Sequence, residues 1–146
     1  MSRSCRSRRR DVTEATRIHP ETGAILRRGV RPQTISYAIY SRTIDVPGWY
    51  PDDGGDSIHS GDDLAEIDRA TRAMRADYAA RIRSIRRSLR LSQEAAGRIL
   101  GGGKRAFQKY EAGKTPPSEA AIGLIELVGR HPESLGILKQ LPGRAA

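Results

Sequence analysis

The segment LSQEAAGRILGGGKRAFQKYEAGKTPP, residues 91–117, decides the fold. It holds two short amphipathic runs separated by Gly101, Gly102 and Gly103. Ser92 can cap the first run, whose Ala95, Ala96, Ile99 and Leu100 share a helical face, and the glycines end it. The second run spans Lys104 to Ala112, and Gly113 closes it. At helical spacing Ala106, Phe107 and Tyr110 fall together against a core, which leaves Lys104, Arg105, Gln108 and Lys109 facing outward. Two short helices about a glycine-containing turn describe a helix-turn-helix, whose second helix lies in the major groove of DNA.

The outward side chains are of the types that base reading needs. Arg offers two parallel donors to guanine O6 and N7, and Gln does the same for adenine N6 and N7. Lys104 stands where a phosphate is favoured by free N–H groups, and Gln93, opening the preceding helix beside Ser92, can fix the register on a backbone phosphate. The expected DNA-binding set is therefore Arg105, Lys109, Gln108, Lys104, Gln93 and Ser92. A flexible GGG joint carrying solvated lysines is the plainer alternative. It is disfavoured because the basic face coincides with the turn and with the aromatic pair. A phosphate-cradling P-loop is rejected: Arg98 stands where its first Gly is required, and Arg105 replaces the Ser or Thr after the Lys.

On the C-terminal side, Pro116 and Pro117 suit the first turn of a helix carrying Ile122, Leu124, Ile125, Leu127 and Val128. Pro132 starts a last helix with Leu135, Ile137 and Leu138. On the N-terminal side, Leu64, Ile67, Thr71, Met74, Tyr78, Ile82, Ile85 and Leu89 recur at spacings of 3 and 4, with Ser60 or Gly61 as a cap. This stripe is expected to pack on the local core, with self-association as the alternative reading. No Gly or Pro interrupts residues 62–96, so the two parts are expected to be joined by helical structure rather than a loose tether. Further back, residues 24–46 alternate as β-structure: Ile35, Tyr37 and Ile39 on odd positions, Ile44 and Val46 on even ones. The change of parity predicts a hairpin turn around Ser41 and Arg42. Pro47 and Gly48 close its second arm, and 51–61 reads as a loop anchored by Trp49 and Tyr50.

The fold class is thus α+β: a small N-terminal β-containing module joined by a helix to a C-terminal five-helix domain. The expected division is a disordered basic arm over 1–11, a β-hairpin module over 12–61, a connecting helix over 62–80 and the DNA-binding domain over 81–141.

Charge supports two jobs in two places. The chain of 146 residues carries 26 Lys and Arg against 17 Asp and Glu, a formal net charge of +9 that favours a polyanionic partner. Residues 45–68 hold eight acids and no Lys or Arg, whereas residues 81–114 hold ten bases against two acids. One block repels DNA and the other attracts it. A chain of this length excludes a large multidomain enzyme. One cysteine, Cys5, forms no internal disulfide and no zinc site alone, and no apolar run spans a membrane, so a cytoplasmic protein is expected.

The stretch RIRSIRRSLRLSQEAAGRILGGGKRAFQKYEAGKTPPSEAAIGLIELVGRHPE, residues 81–133, resembles the Xre-type (lambda-repressor-like) DNA-binding domain of MqsA-family antitoxins, in which LSQ, GGG, AFxxYE and a closing HPE recur in this order. A weaker likeness runs back through VPGWYPDDGGDSIHSGDDL, residues 46–64. The resemblance implies a homodimer that binds a palindromic double-stranded operator, represses its own operon, and neutralises a cognate toxin, usually an RNA-cleaving one, partly through its N-terminal domain. It makes Arg105 and Lys109 the base-reading positions. The family often has Asn at the first and Arg at the second, which alters the operator sequence expected but not the docking mode. It also implies zinc held by two CxxC pairs. Here the first pair reads Cys5-Arg-Ser-Arg8, and the second would be Pro51 and Gly54. No structural zinc and no cofactor are expected, with the module relying on Trp49, Tyr37, Tyr40, Tyr50 and its hairpin. His19 and His59 are read as ordinary surface residues rather than substitute ligands.

Two other function classes compete. A small nuclease could use Asp52, Asp53, Asp56 and His59, but no further base lies nearby in sequence, and a solvated acidic loop is the better reading. A free-standing Xre-type transcription regulator without a toxin would share the DNA-binding half. The acidic stretch 45–68 suits a surface that covers a basic toxin but is equally a plain solubility feature, and a short basic reading frame beside this one is what would separate antitoxin from lone regulator.

Overall fold

The computed structural model describes residues 15–144. The Arg-rich start, read above as a mobile arm, and Cys5 lie outside the described residues. The chain forms two compact units: the described part of Met1–Gln33 with Ile44–Glu66, and Thr34–Thr43 with the described part of Ile67–Ala146.

Three strands, β1 (Thr16–Ile18), β2 (Ile25–Tyr37) and β3 (Tyr40–Pro51), form a sheet in the order β1-β2-β3. β1 pairs antiparallel with β2, Arg17 opposite Leu26. The alternation rule gave no sign of β1, because all three of its residues are exposed. What fixes it is a turn: the His19 Nδ1 accepts from the N–H groups of Glu21 and Thr22 at 3.2 and 3.3 Å, and His19 exchanges backbone bonds with Gly23 and Ala24. His19 is consequently buried, not a surface residue.

The hairpin turns at Ala38 and Ile39, three residues before the expected Ser41 and Arg42. Ala38 takes a positive φ of 53°, and across the arms Thr34 Oγ1 meets Thr43 Oγ1 at 3.0 Å. Ile39, counted above as part of the strand alternation, sits at the turn and is exposed. A two-residue turn demands a left-handed residue, and Gly or Asn would have announced it where Ala does not.

The first unit is held by a few apolar groups and one ion pair. Leu26, Val46, Tyr50 and Pro51 are buried, and the Tyr50 hydroxyl donates to the Val46 carbonyl at 2.6 Å. Arg28 donates to both oxygens of buried Asp63, which also accepts the Ser60 N–H at 2.9 Å. Those bonds, Arg28 first, hold the Asp63 carboxyl well below the usual range. Trp49 exchanges two backbone bonds with Ile58 and lies under the Arg17 and Arg28 guanidiniums. Tyr37 and Tyr40 do not serve this unit. They set their edges against Tyr78 in the second one, with ring centroids 6.4 and 6.1 Å away.

The second unit is helical: α1 (Ala65–Ser88), α2 (Gln93–Leu100), α3 (Ala106–Glu111), α4 (Glu119–Arg130), a 3-10 turn (Pro132–Ser134) and α5 (Leu135–Lys139). Met74, Tyr78, Ile82 and Ile85 of the α1 stripe are buried, so the stripe packs on the local core, while Leu64 precedes the helix and is exposed. α1 ends at Ser88, before the helix that Ser92 caps. The Leu91 N–H reaches back to Arg86 O and Arg90 N–H to Arg87 O, with Arg90 left-handed at φ 57°. This is a Schellman stop that uses Arg where Gly is usual, with buried Leu91 supplying its apolar contact. Likewise Pro116 and Pro117 precede α4 rather than opening it. Ser118 caps it, its Oγ accepting the Ala121 N–H at 3.1 Å.

Candidate nucleic-acid interface

α2, the glycine turn and α3 form the helix-turn-helix. Ser92 caps α2, accepting the Ala95 N–H at 3.0 Å. The turn passes close over α2 at Gly97, where any Cβ would overlap the Gly103 carbonyl. Gly102, at φ +92°, is tight in a second way: a Cβ would lie 2.7 Å from the Ala106 Cβ and 2.9 Å from the Tyr110 hydroxyl. Both positions tolerate only Gly. Gly101 and Gly103 have positive φ as well, so α3 begins at Ala106 and leaves Lys104 and Arg105 in the turn instead of in its first helical residues.

Ala106 and Phe107 are buried and Tyr110 half-buried, with the two rings 5.6 Å apart. Lys104, Arg105, Gln108 and Lys109 are exposed. Arg105, Gln108, Lys109 and Lys114 line one groove of about 370 Å³ along the outer side of α3. Lys114 was not among the expected residues, since it lies past the helix. Besides Ser92, which caps α2, two expected residues have partners inside the protein. The Lys104 ammonium stands 3.7 Å from Glu94, which also takes Arg98 at 2.6 Å. The Gln93 side-chain amide donates to Glu111 at 2.8 Å.

Glu111 is the residue that sequence reading missed. Its side chain is 2 % exposed at the end of α3, and it accepts from Arg86 of α1 through Nε and Nη2 as well as from Gln93 of α2. Burial pushes its carboxyl up, but the bonds from Arg86 and Gln93 outweigh this and hold it below its ordinary value. One ionised carboxylate thereby ties three helices at the foot of α3. A second pair, Arg81 to Glu126 at 2.8 and 2.6 Å, ties α1 to α4 and lowers the Glu126 carboxyl. The available signal was the spacing within AFxxYE: an acid four residues beyond buried Phe107 falls on the helix face turned inward.

A sequence profile described as the antitoxin component of bacterial toxin-antitoxin systems, MqsA, matches residues 21–139. The chain belongs to the MqsA antitoxin family. Among curated relatives, it is 38% identical over 55 residues to antitoxin MqsA of Escherichia coli strain K12, which covers 38% of this chain and 42% of that protein. It is 35% identical over 58 residues to antitoxin HigA-2 of Vibrio cholerae serotype O1, covering 40% of this chain and 56% of that protein. The matches span about half the length of these relatives. Membership places the chain among antitoxins.

The MqsA-family zinc does not fit the residues described. Pro51 and Gly54 offer no donor side chain, and Pro51 is buried, its carbonyl accepting Arg31 Nη2 at 2.7 Å. Among the described residues no three His, Cys, Asp or Glu side chains gather to hold a metal ion. Both rings that might substitute are engaged: His19 in its turn, and His59 between the Pro47 carbonyl at 3.0 Å and Ser57 Oγ at 3.2 Å. The acids of 52–56 are likewise scattered, Asp52 facing Arg27 and Asp53 accepting the Gly55 N–H. No helix among the described residues is long and apolar enough to cross a membrane.

Proposed function

We propose that this chain is a cytoplasmic antitoxin that binds its own operator through α3 and neutralises a partner toxin. The observation that carries this reading is the outer side of α3: Arg105 just before the helix and Gln108 and Lys109 on it are exposed together, with the helix held by Phe107, Tyr110 and Glu111, in a member of an antitoxin family. Arg105 and Lys109 read base edges, Gln108 assists, and Lys104, Gln93 and Ser92 stand toward phosphate. A six-residue helix covers few base pairs, so specificity requires two half-sites and hence a homodimer on a palindrome. Leu127 on α4, Ile137 on α5 and Leu141 just past α5 are exposed and supply apolar surface for pairing. The acidic stretch 45–68 suits contact with a basic, RNA-cleaving toxin. Residues 62–80, helical from Ala65 onward, are read as the connection between the toxin-binding module, 12–61, and the DNA-binding domain, 81–141.

The test is co-purification with the product of the adjacent reading frame, followed by a gel shift on the DNA upstream of this gene with and without that product. Copurification and a sequence-selective shift are expected. A shift without any co-purifying partner would make it a lone regulator, and no shift at all would remove the DNA-binding role.

A further inference from the structure

The second unit carries another basic groove, of about 450 Å³, between α1 and the end of α3. Its lining joins small residues, the alanines of α1 with Ala112 and Gly113, to Arg72, Arg75 and Arg83. The acid at its margin is Glu111, whose charge is already met by Arg86 and Gln93, and Arg83 Nε stands 3.6 Å from it. Arg72 and Arg75 are exposed, and neither forms an ion pair with another described residue; Arg75 lies 5.7 Å from the Tyr37 ring centroid. Ala112 also lines the groove along α3, so the two basic grooves meet there.

Length decides what fits. A helix of six residues is about 9 Å long, shorter than the ~12 Å width of the major groove. Whatever adjoins its end therefore faces the sugar-phosphate wall. From Arg72 to Arg83 is about 16 Å along α1, enough to follow several phosphates of one strand. The small residues of the lining let a backbone approach closely, and the arginines present donors suited to phosphate oxygens.

We infer that this groove seats the sugar-phosphate backbone beside the base-reading contacts, with Arg72, Arg75 and Arg83 contacting phosphates. The inference rests on the DNA-binding reading above and extends it to a sequence-independent track. It is tested with the full chain on two duplexes, the DNA upstream of its gene and a random sequence of equal length, titrated from about 50 to 200 mM salt. Losing two phosphate contacts per protomer, four in the homodimer, in R72A/R75A, lowers the slope of log K against log salt by about 4 on both duplexes, so the gap to the unmodified chain shrinks roughly a hundredfold across that range. R72K/R75K restores most of the slope, and K139A, which removes an exposed charge on α5, leaves it unchanged. An unaltered slope in R72A/R75A, or an equal loss in K139A, overturns the inference while DNA binding stands. Failure of the unmodified chain to bind either duplex overturns the underlying reading instead.

Discussion

Glu111 occupies the point where α1, α2 and α3 meet, and its side chain is shielded from water. Removing it leaves Arg86 half of a broken buried pair, and breaking such pairs costs about 3 to 5 kcal/mol. Glu111→Ala is expected to lose that much stability by urea unfolding. Glu111→Gln, which keeps an acceptor, is expected to lose less and to weaken operator binding more than stability, because α3 loses its fixed orientation. Gln93 was read from sequence as a phosphate contact on the grounds of its place at a helix start. The structure gives its amide a second task, bonding to Glu111. Such a bond links positions 18 apart in the chain, which local periodicity does not reveal. Gly97 was equally silent in sequence, since a glycine in a short helix reads as a weakness, whereas here it is the space the turn occupies.

At the level of elements, periodicity located helices far better than it located their ends. The buried set Met74, Tyr78, Ile82 and Ile85 was readable because every member obeys the 3.6-residue repeat. The stop after Ser88 and the hairpin turn at Ala38 were not, because each puts an ordinary side chain at positive φ and so lacks the glycine that normally marks the site. This has a direct consequence. Arg90→Gly relieves left-handed strain of about 1 kcal/mol, so the variant is expected to be as stable as the parent or up to about 1 kcal/mol more stable in thermal unfolding. A loss beyond that would show that the Arg90 side chain has a role beyond its backbone angle. α3 was placed in sequence two residues too early, because three consecutive positive-φ glycines carry the turn through Lys104 and Arg105.

For the molecule as a whole, the contacts described in the first unit are apolar and ionic, and Pro51 and Gly54, at the positions of the family's second zinc pair, carry no donor side chain. Leu26, Val46, Tyr50 and Pro51 with the Arg28–Asp63 pair supply those contacts. A chelator such as EDTA is therefore expected to leave the unfolding temperature and circular dichroism of the full chain unchanged, and a drop would reveal a metal that the described side chains do not account for. Acid should act differently. Asp63, Glu111 and Glu126 all have carboxyls lowered in the folded state by arginine partners. Their stabilisation is complete above their unfolded values of 3.8 and 4.5 and is lost as pH falls through the lower folded ones. Urea unfolding should show stability nearly constant from about pH 7 to 5 and falling below about 4.5, with a shallower fall in Glu126→Gln. The charge blocks that suggested two tasks were legible from composition alone. The exposed face of Arg105, Gln108 and Lys109 followed from the spacing of Ala106, Phe107 and Tyr110, while the groove beside α1 needed the fold.

The most direct test of the DNA-reading face compares the full chain with R105A/K109A on the upstream duplex and on a random one, each at fixed salt. Truncating Arg105 alone is expected to cost about 1 to 3 kcal/mol of discrimination, and the double variant should bind both duplexes with nearly equal, weak affinity. If R105A/K109A keeps the parent's preference for the upstream duplex, the outer face of α3 does not read DNA.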